Sequence, residues 1–161
     1  MAGTIDLSRG FSGKPQLLLP FLRGLYDGLA PLAYPLIRFW AGFSLVPHGA
    51  QKLFGMFGGD PAKIAALFEK IGFVPGGAWM TTSGAVEFLG GLLVAFGLLT
   101  RPAAVACAVL LATTITVQTR FGWFWTGGGM EYPVLWTVVM AAIAIRGGDR
   151  LSIDRALGRE F

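Results

Sequence analysis

Four apolar stretches, at about residues 31–54, 79–99, 102–119 and 131–146, are separated by short connectors, and each is close to the length that crosses a bilayer as a helix. A chain of this pattern satisfies its backbone polar groups by closing them into helices, because hydrocarbon offers them no hydrogen bonds. The spacing predicts an all-α polytopic membrane protein, an antiparallel four-helix transmembrane bundle with short interfacial helices. Composition agrees: mean hydropathy is +0.63, charged residues make up 14% of the chain, and 24 glycines lie among Leu, Val, Ala and Phe runs. In 161 residues such a bundle leaves no room for a separate soluble catalytic domain.

The flanks and connectors divide around that frame. Residues 1–30 form an N-terminal cytoplasmic or interfacial segment, of which 1–15 are polar and read as weakly ordered. Leu17 to Leu25 is broken by Pro20 and Arg23, lacks a small-residue cleavage site, and reads as a segment lying at the membrane surface. Asp60-Pro61 is an N-cap with proline in the first turn, and Ile64, Leu67, Phe68 and Ile71 recur at helical spacing, which predicts an amphipathic helix in the first external loop. Thr100-Arg101-Pro102 reads as the turn of a tight hairpin between spans two and three. The aromatic and glycine-rich connection 120–129 suits an interfacial loop, with its rings more plausible as anchors than as a stacking platform. Residues 147–161 form a basic cytoplasmic tail in which Ser152 can cap a last short helix.

Lys and Arg placement sets the orientation. Arg9, Lys14, Arg23, Arg101, Arg146, Arg150, Arg155 and Arg159 fall on one side, against Lys52, Lys63, Lys70 and Arg120 on the other, so both termini are expected in the cytoplasm. The net charge of +4 then needs no nucleic-acid partner, because anionic headgroups attract a basic tail. The single cysteine, Cys107, lies inside an apolar run, which excludes an intramolecular disulfide or a Cys-x-x-Cys relay. One histidine, His48, excludes a bis-histidine haem within one chain, and with no second histidine or cysteine nearby it predicts no metal site.

Ionisable groups at membrane depth are costly and mark a function or an obligatory partner. On α-helical projection Arg38, Gly42, Leu45, Gly49 and Lys52 share a stripe, with His48 close to it, and Gly84, Glu87, Gly91 and Val94 make a similar stripe in span two. Small residues among charges suit a face turned toward other helices. By depth Arg38 is the natural partner of Glu87. That pair either fixes helix register alone or belongs to a polar pocket that binds a redox-active or acidic small molecule or relays protons. His48 either hydrogen-bonds the Phe43 carbonyl freed by Pro47 or a neighbouring helix, or faces such a pocket; Lys52 either snorkels or draws anions. Glu131 complements the dipole of the fourth helix from its first turn, or joins the others. Together Arg38, His48, Lys52, Glu87 and Glu131 are the candidate site, a polar seam opening outward. The hydroxyls of Thr113, Thr114, Thr116 and Thr119 are expected to bond back to their own helix, beside Gln118.

These residues resemble the DoxX family of small four-helix inner-membrane proteins. The resemblance rests on Arg38-x-x-x-Gly42 with His48-Gly49-Ala50-Gln51-Lys52-Leu53-Phe54, on Gly84-x-x-Glu87-x-x-Gly90-Gly91-Leu92-Leu93 through Gly97-Leu98-Leu99-Thr100-Arg101, and on Glu131-Tyr132-Pro133. The tail Leu151-Ser152-Ile153-Asp154 is similar to the family's Ser-Leu-Asp ending, with isoleucine for leucine. The resemblance implies a bacterial-type inner (plasma) membrane location and a subunit of a redox-associated membrane complex, with other redox subunits or further copies of itself as partners. It adds no covalently bound cofactor. The leading expectation is a seam that binds a quinone or similar molecule. The alternatives are an assembly subunit whose buried charges only fix packing, and a small-solute transporter acting as an oligomer.

Overall fold

The computed structural model describes residues 17–160. The expectations for residues 1–15 lie outside them. The described chain is helical: α1 is Arg23–Phe54, α2 Pro61–Lys70, α3 Gly76–Phe96, α4 Thr100–Gln118, α5 Glu131–Arg146 and α6 Ile153–Ala156. Three helical stretches are long and apolar enough to cross a membrane, Pro20–Phe54, Gly76–Phe96 and Thr100–Phe121. The fourth predicted span forms at its expected bounds as α5, but its 16 residues extend only about 24 Å, short of a hydrocarbon core of about 30 Å.

Contacts divide the chain after Ala33. Before that point Pro20–Leu22 is a 3-10 turn that runs into α1 at Arg23, so the first helix begins ahead of the expected residue 31. Proline in the opening turn costs no hydrogen bond there, so Pro20 starts the helix instead of breaking it. Leu25, Tyr26, Leu29 and Leu32 are exposed apolar residues of this segment.

From Tyr34 onward, α1, α3, α4 and α5 share one core of Ala41, Leu45, Val94, Ala103, Ala104, Cys107, Leu111, Met140 and Ile143. Its small residues let backbones approach closely. A methyl group on Gly91 would stand 2.6 Å from the Gly42 carbonyl oxygen, and one on Gly49 2.6 Å from that of Gly84, so the two predicted small-residue stripes face one another. Large apolar side chains such as Leu36, Ile37, Trp40, Phe96, Val109, Leu135, Val138 and Ile145 point outward instead. Small inside and large apolar outside is the distribution that a lipid solvent favours.

The connection between α3 and α4 differs from expectation. Gly97 adopts the left-handed conformation (φ 70°) and ends α3, with the Leu98 N–H returning to the Leu93 carbonyl at 2.9 Å. Thr100, Arg101 and Pro102 are therefore the first turn of α4, where proline lacks only a donor that would be unpaired anyway. The predicted loop helix forms as α2, capped by the Asp60 carboxylate accepting from the Lys63 N–H at 3.2 Å. That bond, with Lys63's charge, holds the Asp60 carboxyl below its ordinary range. Ser152 likewise caps α6, accepting from the Arg155 N–H at 3.1 Å.

Candidate functional site

The five predicted site residues do not form one seam. They divide between the two ends of the helices, and the register of α1 on α3 decides the division. With Gly42 against Gly91 and Gly49 against Gly84, Glu87 lies level with Val46, between Arg38 and Lys52; side chains lean toward the N-terminus of their own helix, so Lys52 and Glu87 lean toward each other while Arg38, level with Ala95, leans away.

The expected Arg38–Glu87 pair is thus corrected. Lys52 Nζ donates to Glu87 Oε2 at 2.5 Å, with the side chains 17% and 14% exposed. Glu87 sits in a π-helical turn, Val86–Gly90, that interrupts α3. Such turns are rare and concentrate at functional sites. The Gly84, Gly90 and Gly91 flanking it allow α3 to approach its neighbours closely. The Val86 carbonyl in the same turn receives the Cys107 thiol at 3.7 Å.

The Lys52–Glu87 pair borders a cavity of about 640 Å³ framed by α1, α2, α3, α4, α5 and the aromatic loop. That volume suits a small organic ligand. Its walls are mainly apolar and aromatic, with Leu45, Phe68, Phe73, Trp79, Val86, Leu110, Trp125 and Trp136 among them. Phe68, Phe73 and Trp79 stack edge to face at 5.9 and 5.3 Å, so α2 contributes a rigid side of the chamber.

The polar groups on the walls differ in how far they are committed. Thr113 and Thr114 donate to the Val109 and Leu110 carbonyls, both at 3.0 Å, as expected of hydroxyls returning bonds to their own helix, and Ser83 donates to Met80 at 2.9 Å. His48 lines the cavity and makes no hydrogen bond among the described residues; the bond expected to the Phe43 carbonyl is not formed. Gln118 also lines it, and its buried Oε1 has no partner. An unpaired buried acceptor costs on the order of 1–3 kcal/mol, which a ligand donor would recover. Sequence reasoning grouped Gln118 with the threonines and missed this difference. It also missed Trp136 and Trp125 as cavity walls, because an aromatic stripe at an interface carries no signal of which ring turns inward.

Glu131 is not on this cavity wall. It occupies the first turn of α5, as its helix-dipole reading predicts, and its Oε2 accepts from the Trp125 N–H at 3.2 Å while its own N–H donates to Trp123 at 3.0 Å. The carboxylate therefore shapes the aromatic loop. Trp125 stacks on Tyr132 at 5.4 Å and, like Phe121, Trp123 and Phe124, is exposed, as membrane anchors would be.

Arg38 belongs to a second polar cluster at the other end. It is 2% exposed and donates to the carbonyls of Gly148, Leu151 (2.5 Å) and Ala95 (3.5 Å). Tyr34 donates to Gly147 at 2.5 Å, and the Arg146 guanidinium lies 4.2 Å above the Tyr34 ring. Asp154, 4% exposed, accepts from the Leu99 N–H at 2.8 Å, the Thr100 N–H at 2.9 Å and Thr100 Oγ1 at 2.7 Å. It thus caps α4 from a segment more than 50 residues away in sequence. Burial pushes the Asp154 carboxyl upward, but the bonds from Thr100 and Leu99 and the nearby Arg38 charge outweigh it and hold it below its ordinary range. Asp149 is held low by its bond from Arg146, at 2.8 Å.

The comparisons with known proteins agree with this architecture. The DoxX family profile matches residues 33–120. The chain belongs to the DoxX family. No curated protein and no solved structure matches it. In this DoxX protein the matched region carries Arg38, the Lys52–Glu87 pair, the π-helical turn and most of the cavity wall, while the tail that closes over Arg38 lies beyond it. Family membership and the apolar helices make it an integral membrane protein. Among the described residues no group of three His, Cys, Asp or Glu stands close enough to hold a metal ion.

Proposed function

We propose that this protein is a subunit of a redox-associated complex of the bacterial inner membrane, in which α1, α3, α4 and α5 form an antiparallel four-helix transmembrane bundle with both termini in the cytoplasm. The cavity beside Lys52 and Glu87 takes a quinone or a similar flat, largely apolar ring. The observation that carries the reading is a chamber with aromatic walls in which a charged pair, an unbonded histidine and an unpaired amide oxygen stand together. α5 is short for a full span, but the aromatic loop before it and Arg146 at its end suit the two membrane interfaces.

The residues present fit such a ring. Trp79, Trp136 and Phe73 supply flat apolar surface, and His48 is free to donate to a ring oxygen or to accept from a ring hydroxyl. Gln118 Oε1 awaits a donor, as a reduced ring would provide. A quinone supplies two-electron, two-proton redox chemistry when bound. The chain's part is to orient the ring between its aromatic walls, with His48 as the hydrogen-bond partner of a ring oxygen and Lys52 bonded to Glu87 nearby.

The test is binding of a soluble quinone analogue to the purified protein, read by quenching of the cavity tryptophans. His48→Ala and Gln118→Leu are expected to weaken binding by roughly tenfold each, since each removes one hydrogen bond to the ring. If both variants fold and bind as the native chain does, the reading fails. For Arg38 a specific observation favours the structural alternative: its two terminal nitrogens donate to tail and α3 carbonyls, so it serves assembly and not the ligand.

A further inference from the structure

The folded tail carries a feature that neither the cavity nor the Arg38 cluster uses. Arg150, Arg155 and Arg159 are exposed and make no ion pair among the described residues, whereas Arg146 and Arg101 face Asp149 and Glu160 at 2.8 and 3.8 Å. Their backbone positions are fixed. The Asp154 N–H donates to the Gly97 carbonyl at 2.8 Å, Arg155 N–H to Ser152 Oγ at 3.1 Å, and Arg159 N–H to the Asp154 carbonyl at 3.1 Å.

Those bonds place the tail at a definite level. Asp154 caps the first turn of α4 and meets the residue that ends α3, so the three arginines sit where two membrane-length helices end. Directly beside them Ile153 closes one side of an apolar groove of about 350 Å³, whose other walls are Leu89, Leu92, Leu93, Phe96 and Leu98 on and after α3. Nothing polar lines it. An apolar groove that runs along a membrane helix and ends at the tail segment carrying three unpaired arginines matches the two halves of one molecule, an acyl chain and an anionic headgroup.

We propose that this is a binding site for an anionic phospholipid of the leaflet facing the tail: an acyl chain lies in the α3 groove against Ile153, and the headgroup phosphate is met by Arg150, Arg155 and Arg159. Arginine suits the phosphate because its planar fork donates two parallel hydrogen bonds. The buried Arg38 and Asp154 contacts hold the tail, with Ile153 in the groove wall, at the end of α3. The site is independent of the cavity reading.

The experiment is native mass spectrometry of the full chain, titrated in detergent with phosphatidylglycerol or with phosphatidylcholine of the same acyl chains. The native protein is expected to retain phosphatidylglycerol in preference. Arg150→Gln/Arg155→Gln/Arg159→Gln should lower phosphatidylglycerol affinity by about fivefold for each arginine removed and phosphatidylcholine affinity by clearly less, because choline's cation offsets the phosphate charge that the arginines meet. Leu92→Trp, which fills the groove, should weaken both lipids. Equal retention of the two lipids by the native chain, or unchanged phosphatidylglycerol affinity in the triple variant, overturns the proposal. The triple variant alters exposed side chains alone, and its melting temperature without added lipid checks that it is folded.

Discussion

Lys52 on α1 and Glu87 in the π-helical turn of α3 form an ion pair of 2.5 Å at the edge of the cavity. Each is the other's compensation for desolvation. Removing one partner of a buried pair typically costs about 3–5 kcal/mol, and the partial exposure here lowers the expectation for Lys52→Met or Glu87→Leu to about 2 kcal/mol. The double variant is expected to recover most of that loss, since two apolar side chains suit the site once neither charge is stranded. Unfolding in detergent measures it. A double variant that loses the sum of the two single losses would show that the residues act separately.

The close approach of α1 and α3 makes Gly91 intolerant of a side chain. A methyl group there meets the Gly42 oxygen at 2.6 Å and the Leu45 and Val46 side chains at 3.3 Å, so Gly91→Ala is expected to cost about 1–3 kcal/mol. Gly77→Ala meets nothing within 4 Å and is the control. Equal melting temperatures for the two variants would mean that the helices separate without cost.

Arg38 and the tail depend on one another. Arg38→Lys retains the charge but has one nitrogen, which cannot serve the carbonyls of Gly148, Leu151 and Ala95 together as the guanidinium does. Trypsin is expected to cleave after Arg150 and Arg155 faster in Arg38→Lys, and faster still in Arg38→Met. Asp154→Ala should give a similar acceleration, and combining it with Arg38→Met should add little, because both residues hold the same segment. Additive rates would separate the two anchors.

Much of this arrangement was legible in the sequence and some was not, for reasons of range. Helical spans and the Asp60 and Ser152 caps follow from local patterns, and the small-residue stripes identified which faces of α1 and α3 meet. The partner of Glu87 did not follow. Depth counted in residues favoured Arg38, whereas in the packed helices Glu87 lies between the two cations and the lean of the side chains brings it to Lys52. The tail read as a solvated basic segment because its composition is basic. The reason it folds back, carbonyls of Gly148 and Leu151 accepting from Arg38, involves backbone atoms that every residue possesses and no motif announces. The family resemblance took in Arg38 and the Leu151–Asp154 stretch without stating that they hold one segment. The cavity was anticipated as a seam, but His48, Lys52 and Glu87 line it while Arg38 and Glu131 do not.

Asp154 also gives the tail's attachment a pH dependence whose sign follows from its environment. Its carboxyl titrates below the ordinary value of 3.8 because it accepts three hydrogen bonds that favour the charged form. In the unfolded chain those bonds are absent, so the unfolded state binds a proton at higher pH than the folded state does. The stabilisation from Asp154 is therefore complete above the ordinary aspartate range and is lost as pH falls through the lower, folded value. Asp60 and Asp149 are shifted the same way but are less enclosed, so screening by water leaves them a smaller share. Asp154→Asn keeps the shape and one acceptor oxygen without the charge. The native protein should melt above this variant near neutral pH, by an amount that is constant down to about pH 5 and shrinks toward zero on further acidification. A gap that stays constant through the acid range would mean that shape alone, and not the charge on Asp154, holds the start of α4 to the tail.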